Sequence, residues 1–343
     1  MTIRKPYLLF TGDAVLDGFA KTAFGLRDWA LPDVVGQWRL PDGMVDLGLP
    51  MLAPPAAYAA GARSLVIGVA SIGGRVPDTW HAPLIEALDA GLDIVSGMHT
   101  RLADIPAIVE AARIAGRVLH DVRHPRQTFP VGTGRKRSGR RLLTVGTDCA
   151  LGKKYTALAV ARALQERGHA ADFRATGQTG IMIAGAGIAV DAVVADFVSG
   201  AAETLSPAAD PAHWDVIEGQ GALFHPGYAG VTLGLVHGSQ PDAMILCHDP
   251  TRTTISDYPW APLPALDQAM AAYIAAAKIT NPDPHFVGIS LNTSKLNAAD
   301  AAALARRLEQ EHNLPVCDPM RFGIGEVIDH IEARFGGPVS SPA

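Results

Sequence analysis

The sequence predicts an α/β protein with a Rossmann-like N-terminal domain and a P-loop-type, parallel-sheet C-terminal domain. Three observations indicate this. Short apolar runs that end in Gly or Asp alternate with segments of helical apolar spacing. The 343 residues exceed one average domain, and 35 Gly and 25 Pro suit many strand-to-helix turns. Finally, the segment GTDCALGKKYT (residues 146–156) has the composition of a phosphate-binding loop that joins a strand to a helix.

The first domain is expected to span residues 1–124. Buried parallel strands are predicted at residues 7–10, 64–70, 92–97 and 117–122, with helices at residues 83–90 and 105–115. The stretch TGDAVLDGFAKTAFG, which follows the first strand, does not contain the GxGxxG fingerprint. A nicotinamide cofactor in this domain is therefore not predicted.

The domain boundary is predicted in RHPRQTFPVGTGRKRSGRR (residues 123–141), which is rich in Pro, Gly and basic residues and has no periodicity. We define residues 125–140 as a linker, 141–336 as the second domain and 337–343 as a tail. The basic cluster is either a solvated linker or a group that reaches an extra phosphate on a bound ligand.

The second domain is predicted to form another parallel sheet. Its first strand, residues 142–147, leads into the loop and then into a helix over residues 153–167. Further strands are predicted at residues 171–177, 214–219, 242–247 and 286–292, and the clearest further helices at 265–278 and 298–311.

Composition excludes several classes of partner. The net charge of −5 gives no general reason to bind nucleic acid or an anionic membrane. The three cysteines, Cys149, Cys247 and Cys317, show no disulfide framework or zinc-ligand spacing. No export signal or apolar run of about 20 residues is visible. We expect a cytoplasmic homo-oligomer that binds small molecules and no metal.

Within the loop, Gly146 and Gly152 suit tight turns and Lys153 suits a phosphate contact. Lys154 follows where Mg²⁺-dependent loops have Ser or Thr, and Thr156 is displaced by two positions. The loop could instead be a Gly-rich turn that binds no ligand. Cys149 could be a nucleophile or only a small buried residue. The whole loop is predicted to bind the cofactor: Gly146, Thr147, Asp148, Cys149, Ala150, Leu151, Gly152, Lys153, Lys154, Tyr155 and Thr156.

Catalytic candidates follow the predicted strand WDVIEG. Its last acid, Glu218, is expected at the carboxyl edge of the sheet, where ligands bind. Glu218 could hold a metal, act as a general base or cap a turn. His225, on the same loop as Tyr228, could carry a proton or be a structural histidine. Asp196, on an apolar run after the preceding strand, is the third catalytic candidate.

Substrate-binding candidates come from two other strand ends. Arg174 could form a forked contact with a substrate carboxylate, or only a surface ion pair. His248, Arg252 and Asn292 give weaker signals for the same crevice, where they would lie near an adenine ring. The predicted substrate-binding set is Arg174, Thr176, Gln178, Thr179 and Arg252.

Six motifs in order, GTDCALGKKYT, ADFRATGQTG, DVIEGQGALFHPGYAG, HGSQPDA, CHDPTRT and VGISLNTS, together resemble the D-glutamate N-acetyltransferase family. The resemblance extends over residues 7–325 and implies the same two domains. It also implies acetyl transfer from acetyl-CoA to the amino group of D-glutamate. The loop would then bind the pyrophosphate of CoA, which needs no Mg²⁺ hydroxyl.

Two alternatives remain open at this point. The loop is similar to the GTDxxxGK loop of dethiobiotin synthetase, which suggests a Mg-ATP-dependent ligase or kinase. A non-catalytic, nucleotide-sensing protein is the other. Lys154 argues against the first, because it replaces the hydroxyl that holds Mg²⁺.

Overall fold

The structure is a computed structural model that describes residues 2–69, 74–125 and 127–338. The end of the predicted strand 64–70, Arg126 of the predicted linker and most of the predicted tail lie outside the described residues. The chain forms two compact units. The first comprises Met1–Gln127 and Gly177–Ala192, and the second comprises Thr128–Thr176 and Val193–Ala343.

The sheet of the first unit has five parallel strands in the order β2-β1-β3-β4-β5. This is the flavodoxin-like order of doubly wound folds. The strands are β1 (Tyr7–Gly12), β2 (Val34–Arg39), β3 (Ser64–Ile67), β4 (Asp93–Ser96) and β5 (Leu119–Asp121), and the helices are α1 (Lys21–Trp29), α2 (Pro54–Ala59), α3 (His81–Asp89) and α4 (Pro106–Ala115). Every residue of β1 is buried, as expected for a strand with helices on both faces.

The second unit begins with β6 (Arg140–Gly146), α5 (Lys153–Glu166) and β7 (Ala171–Arg174), after which α6 (Gln178–Ala184) belongs to the first unit. The remaining elements are α7 (Val198–Leu205), β8 (Trp214–Ile217), α8 (Ala229–Ser239), β9 (Ala243–His248), β10 (Thr254–Ile255), β11 (Tyr258–Pro262), α9 (Leu266–Ala277), β12 (His285–Leu291), α10 (Ala298–His312), β13 (Val316–Cys317) and α11 (Gly325–Phe335). The parallel sheets confirm the predicted fold class.

The sheet of the second unit positions the phosphate loop. Six parallel strands follow the order β13-β12-β9-β6-β8-β7, while β10 and β11 form a separate antiparallel hairpin. From the central β6 the chain first builds β7 and β8 on one side and then β9 on the other. Ligands of open α/β sheets bind at such a switch point, outside the carboxyl ends of the strands.

An apolar core holds α5 against this sheet. Val160 and Leu164 of α5 pack with Trp214 of β8, and Val327 of α11 joins the same cluster. At its other end α5 begins directly after Gly152, whose φ of +108° is rarely adopted by residues with a side chain. The core therefore fixes the direction of the helix, and Gly152 lets the loop turn into it.

Among the described residues, no helix combines the length and the apolar character needed to cross a membrane.

Candidate active site

Lys153 is folded into the phosphate loop. Its side chain is almost completely buried, and Nζ donates a hydrogen bond of 2.7 Å to the carbonyl oxygen of Asp148. The stem lies against Gly219, where an added Cβ would come within 3.0 Å of Lys153 Cδ. Burial lowers the pKa of this amine. An anion bound in the loop would favour its charged form, so Lys153 is suited to a phosphate contact.

The carboxylate of Asp148 and the guanidinium of Arg252 clamp the loop. Asp148 is buried, and its oxygens accept hydrogen bonds from the backbone N–H of Cys149 (2.6 Å) and of Ser256 (2.9 Å) and from Arg252 Nη1 (2.8 Å). Arg252 also donates to the carbonyl oxygens of Cys149 (2.8 Å) and Ala150 (3.2 Å). Arg252 thus positions the loop itself.

The clamp also sets the ionisation of Asp148. Burial alone would raise the pKa of this carboxyl, but hydrogen bonds from Ser256, Cys149 and Arg252 together hold it below the ordinary value of 3.8. Asp148 is therefore a carboxylate at neutral pH, and Arg252 compensates its buried charge.

The hydroxyl groups of the loop are engaged with the sheet. Thr156 Oγ1 forms hydrogen bonds with Ser290 Oγ (2.8 Å) and the carbonyl oxygen of Gly152 (3.2 Å). Thr147 Oγ1 bonds to His248 Nδ1 at 3.0 Å, and burial lowers the pKa of that imidazole. Thr156 is therefore used for packing α5 onto β12, and it does not replace the Mg²⁺-holding hydroxyl that Lys154 displaces.

Glu218 follows β8 directly and is buried beside Thr176. Its Oε2 accepts a hydrogen bond of 3.0 Å from the backbone N–H of Thr176. In return, the hydroxyl of Thr176 donates to the carbonyl oxygen of Glu218 at 2.6 Å, and Gln220 Nε2 reaches that hydroxyl at 3.1 Å. A buried carboxylate at the carboxyl end of a strand next to β6 is placed for proton transfer or ligand binding.

His225 is buried, and its environment selects one tautomer. Nδ1 accepts the backbone N–H of Gly227 at 3.1 Å, so the neutral ring carries its proton on Nε2. The ring stacks on Tyr228, with ring centroids 4.4 Å apart, and meets Tyr258 edge-on at 5.0 Å. In this state His225 can donate a hydrogen bond from Nε2 to a developing negative charge.

Asp148, Cys149 and His225 each offer a ligand atom, and these atoms lie within 4.8 Å of one another. Such a set could hold a metal ion, but both oxygens of Asp148 already accept hydrogen bonds. Burial raises the pKa of the Cys149 thiol above its ordinary value of 9.0. We therefore assign neither a metal nor a thiolate to this cluster.

Four other predicted residues have different surroundings. Arg174 forms ion pairs with Asp215 (2.7 Å) and Asp172 (3.1 Å). Gln178 accepts a hydrogen bond from Arg123, and both residues belong to the first unit. The hydroxyl of Thr179 pairs with that of Thr22 at 2.9 Å. Asp196 is exposed on a 3-10 helix over Ala195–Phe197. The structure brings together the loop, Thr176, Glu218, His225 and Arg252.

Two supporting residues escaped prediction. The hydroxyl of Tyr273, on α9, donates to the carbonyl oxygen of Gly146 at 2.8 Å, which fixes the start of the loop. Ser256, between β10 and β11, supplies the backbone N–H to Asp148. In the sequence, the polar residues that closely follow Arg252 in TRTTIS were the signal that could have indicated Ser256.

Comparisons with known proteins agree on one family. The model "Domain of unknown function (DUF1611_C) P-loop domain" matches residues 130–328, and "Domain of unknown function (DUF1611_N) Rossmann-like domain" matches residues 41–125. A D-glutamate N-acetyltransferase of Tritonibacter scottomollicae is 48% identical over 331 residues, covering 96% of this chain and 99% of the relative. One from a Pseudoalteromonas species is 44% identical, covering 96% and 100%. The crystal structure of a DUF1611 family protein from Anabaena variabilis matches with a TM-score of 0.83 and 33% identity, covering 96% and 100%.

Proposed function

The chain belongs to the DUF1611 family, and we propose from this premise that it is a D-glutamate N-acetyltransferase that uses acetyl-CoA. The observation that carries the proposal is the near full-length identity of 44–48% to two relatives of that name. The family predicted from the sequence motifs is confirmed by the same relatives. The phosphate loop lacks the side-chain hydroxyl that holds Mg²⁺ in kinases, and this also agrees with acyl transfer.

We infer that the loop binds the pyrophosphate of CoA. The loop lies at the switch point of the sheet, directly before the N-terminus of α5. Backbone N–H groups and the helix dipole favour an anion at this position, which supports the inference. Lys153 and Lys154 add positive charge where a kinase would place one Lys and a hydroxyl. CoA needs its phosphates held and not cleaved, so two cations and no metal suit this ligand.

The chemistry requires a neutral amine and a stabilised oxyanion. The ammonium group of D-glutamate loses one proton to the base, its nitrogen attacks the thioester carbonyl carbon, and the tetrahedral intermediate expels CoA as a thiolate that takes up the second proton lost by the nitrogen. We assign the base to Glu218, which is a buried carboxylate, and the oxyanion donor to Nε2–H of His225.

This assignment requires a folded conformation of the bound acetyl-CoA. Glu218 precedes Gly219, which lies against the stem of Lys153, and His225 offers a ring nitrogen within 4.8 Å of the ligand atoms of Asp148 and Cys149. With the pyrophosphate in the loop, the pantetheine arm must fold back for the thioester to reach these residues. The aromatic row of His225, Tyr258 and Trp260 offers an apolar surface for a folded arm, since its ring centroids are 5.0 and 5.1 Å apart and Trp260 is exposed.

For the substrate carboxylates, we retain Thr176 and Arg174 of the second unit as candidates. Arg252 is assigned to the loop instead, because its donors already bind Asp148, Cys149 and Ala150. A guanidinium with this many internal partners has little capacity left for a ligand.

The direct test measures release of free CoA from acetyl-CoA with D-glutamate and with L-glutamate, together with calorimetry of acetyl-CoA and of Mg-ATP. We expect acetyl-CoA binding and release of CoA with D-glutamate. Tight binding of Mg-ATP without affinity for acetyl-CoA would instead favour a ligase or kinase of the dethiobiotin synthetase type. Binding of acetyl-CoA without CoA release for any D- or L-amino acid would favour a nucleotide sensor.

A further inference from the structure

A cavity of about 510 Å³ opens beside the phosphate loop in the second unit. One wall is the start of α5, with Gly152 and Tyr155. The other walls are the segments that follow β12 and β13, which contribute Asn292, Asp318, Met320 and Arg321. Because the cavity shares Gly152 with the loop, a ligand whose phosphates occupy the loop can place its neighbouring portion here.

We propose that this cavity binds the 3′-phosphoadenosine portion of CoA and that Arg321 contacts the 3′-phosphate. The proposal rests on the function proposed above and adds a specificity to it. CoA and ATP share adenine, ribose and a pyrophosphate, but only CoA carries a phosphate on the 3′ oxygen of the ribose. A cation in this cavity can therefore distinguish the two ligands.

The wall after β13 is held rigid by Asp318. Its carboxylate accepts hydrogen bonds from the backbone N–H of Thr293 (3.1 Å), Met320 (3.0 Å) and Arg321 (3.2 Å), and from the hydroxyl of Thr293. These donors tie the segment after β13 to the segment after β12. The charge of Asp318 is thereby used within the wall, and the wall is preorganised for a ligand.

The apolar side of the cavity suits a purine ring. The side chain of Met320 lines it and is 60% exposed, so an adenine base would cover it. Thioethers make favourable contacts with aromatic rings. On the facing wall, Tyr155 contributes a second flat surface at the first turn of α5.

Asn292 presents an oriented hydrogen-bond donor. Its Oδ1 accepts the backbone N–H of Ser294 at 3.2 Å, and its own backbone N–H donates to the carbonyl oxygen of His248 at 2.8 Å. These two bonds fix which way the amide faces. Nδ2 has no hydrogen-bond partner within residues 2–69, 74–125 and 127–338, and it can donate to a ring nitrogen of adenine.

Arg321 supplies the positive charge at the rim. The residue is exposed, and its Nη2 donates to the carbonyl oxygen of Leu296 at 3.0 Å. Nε and Nη1 of Arg321 have no partner within the described part of the chain. An exposed guanidinium held by one bond, with its other donors unpaired, is suited to a forked contact with a phosphate.

The first test compares acetyl-CoA with acetyl-3′-dephospho-CoA as donors to D-glutamate. We expect wild-type kcat/KM to favour acetyl-CoA by about tenfold or more, the usual size of a charge-assisted contact. Arg321→Gln should bring this ratio to about one by lowering only the acetyl-CoA value. Arg306→Gln, on the exposed side of α10, makes the same charge change and should keep the wild-type ratio. A wild-type ratio that persists in Arg321→Gln would overturn the proposal.

The second test needs no catalysis. Calorimetry should show that adenosine 3′,5′-bisphosphate binds the wild-type protein about tenfold more tightly than adenosine 5′-monophosphate. Asn292→Ala should weaken both ligands with an unchanged melting temperature. Equal affinities for the two ligands in the wild type would reject the 3′-phosphate contact. Efficient acetyl transfer with equal use of both donors would overturn this inference alone, whereas no transfer from either donor would contradict the proposed function.

Discussion

At the scale of single residues, the central prediction concerns Lys153. Its Nζ is buried and bonds to a loop carbonyl, so a bound pyrophosphate would replace a neutral partner by a charged one. Lys153→Ala should raise the Kd for acetyl-CoA by roughly 10- to 100-fold. Calorimetry measures this, with the exposed Lys278→Ala as control. An unchanged Kd in Lys153→Ala would contradict the phosphate contact.

Glu218 tests the chemistry separately from binding. Glu218→Gln keeps the size of the side chain and an oxygen that can accept the N–H of Thr176, but it removes the proton acceptor. We expect kcat to fall by roughly 100-fold or more, with the Kd for acetyl-CoA nearly unchanged. Pre-steady-state release of CoA and calorimetry measure the two quantities. The exposed Glu311→Gln serves as control, and retained turnover in Glu218→Gln would transfer the role of base to another residue.

At the scale of elements, the loop depends on a contact between residues far apart in sequence. Arg252, after β9, neutralises Asp148, after β6, at 2.8 Å. Arg252→Ala leaves a buried carboxylate without its cation, so we expect a loss of about 3 kcal/mol in the free energy of unfolding at pH 7. Urea unfolding measures it, and Arg306→Ala, which removes an exposed guanidinium, should change little.

The same contact predicts a pH dependence. The folded-state pKa of Asp148 lies below 3.8, so its contribution to stability is present above that pH and is lost as pH falls through the folded value. The difference in unfolding free energy between wild type and Arg252→Ala should therefore shrink below about pH 4. An equal difference at pH 7 and pH 3 would show that lost packing, and not charge, explains the effect.

At the scale of the whole molecule, local patterns predicted both parallel sheets because strands buried on both faces are continuous apolar runs. Strand β2 was missed because only two of its six residues are buried, and β13 because two residues show no period. Helix α11 was also missed, although Val327, Ile328 and Ile331 have helical spacing.

The residues of the site likewise divide into those whose place the sequence predicted and those whose place it did not. The loop and the position of Glu218 followed from strand-to-helix order. The role of Arg252 did not, because it depends on a partner 104 residues away in the sequence. Likewise, Gln178 and Thr179 follow β7 in sequence, yet the chain enters the first unit directly after Thr176. Sequence order predicts which residues end a strand, and three-dimensional packing decides which of them meet.

The chemistry of the whole chain should be independent of divalent metal and of ATP. Lys154 stands where Mg²⁺-dependent loops have a hydroxyl, and the hydroxyl of Thr156 is bonded to Ser290 and Gly152. We expect the rate of CoA release with D-glutamate to be unchanged by EDTA and by addition of ATP with Mg²⁺. The measurement is the thiol assay after dialysis against EDTA, with and without Mg²⁺. Activity lost in EDTA and restored by Mg²⁺ would mean that the loop orients a metal–phosphate complex. The positive charges of Lys153 and Lys154 would then need another explanation.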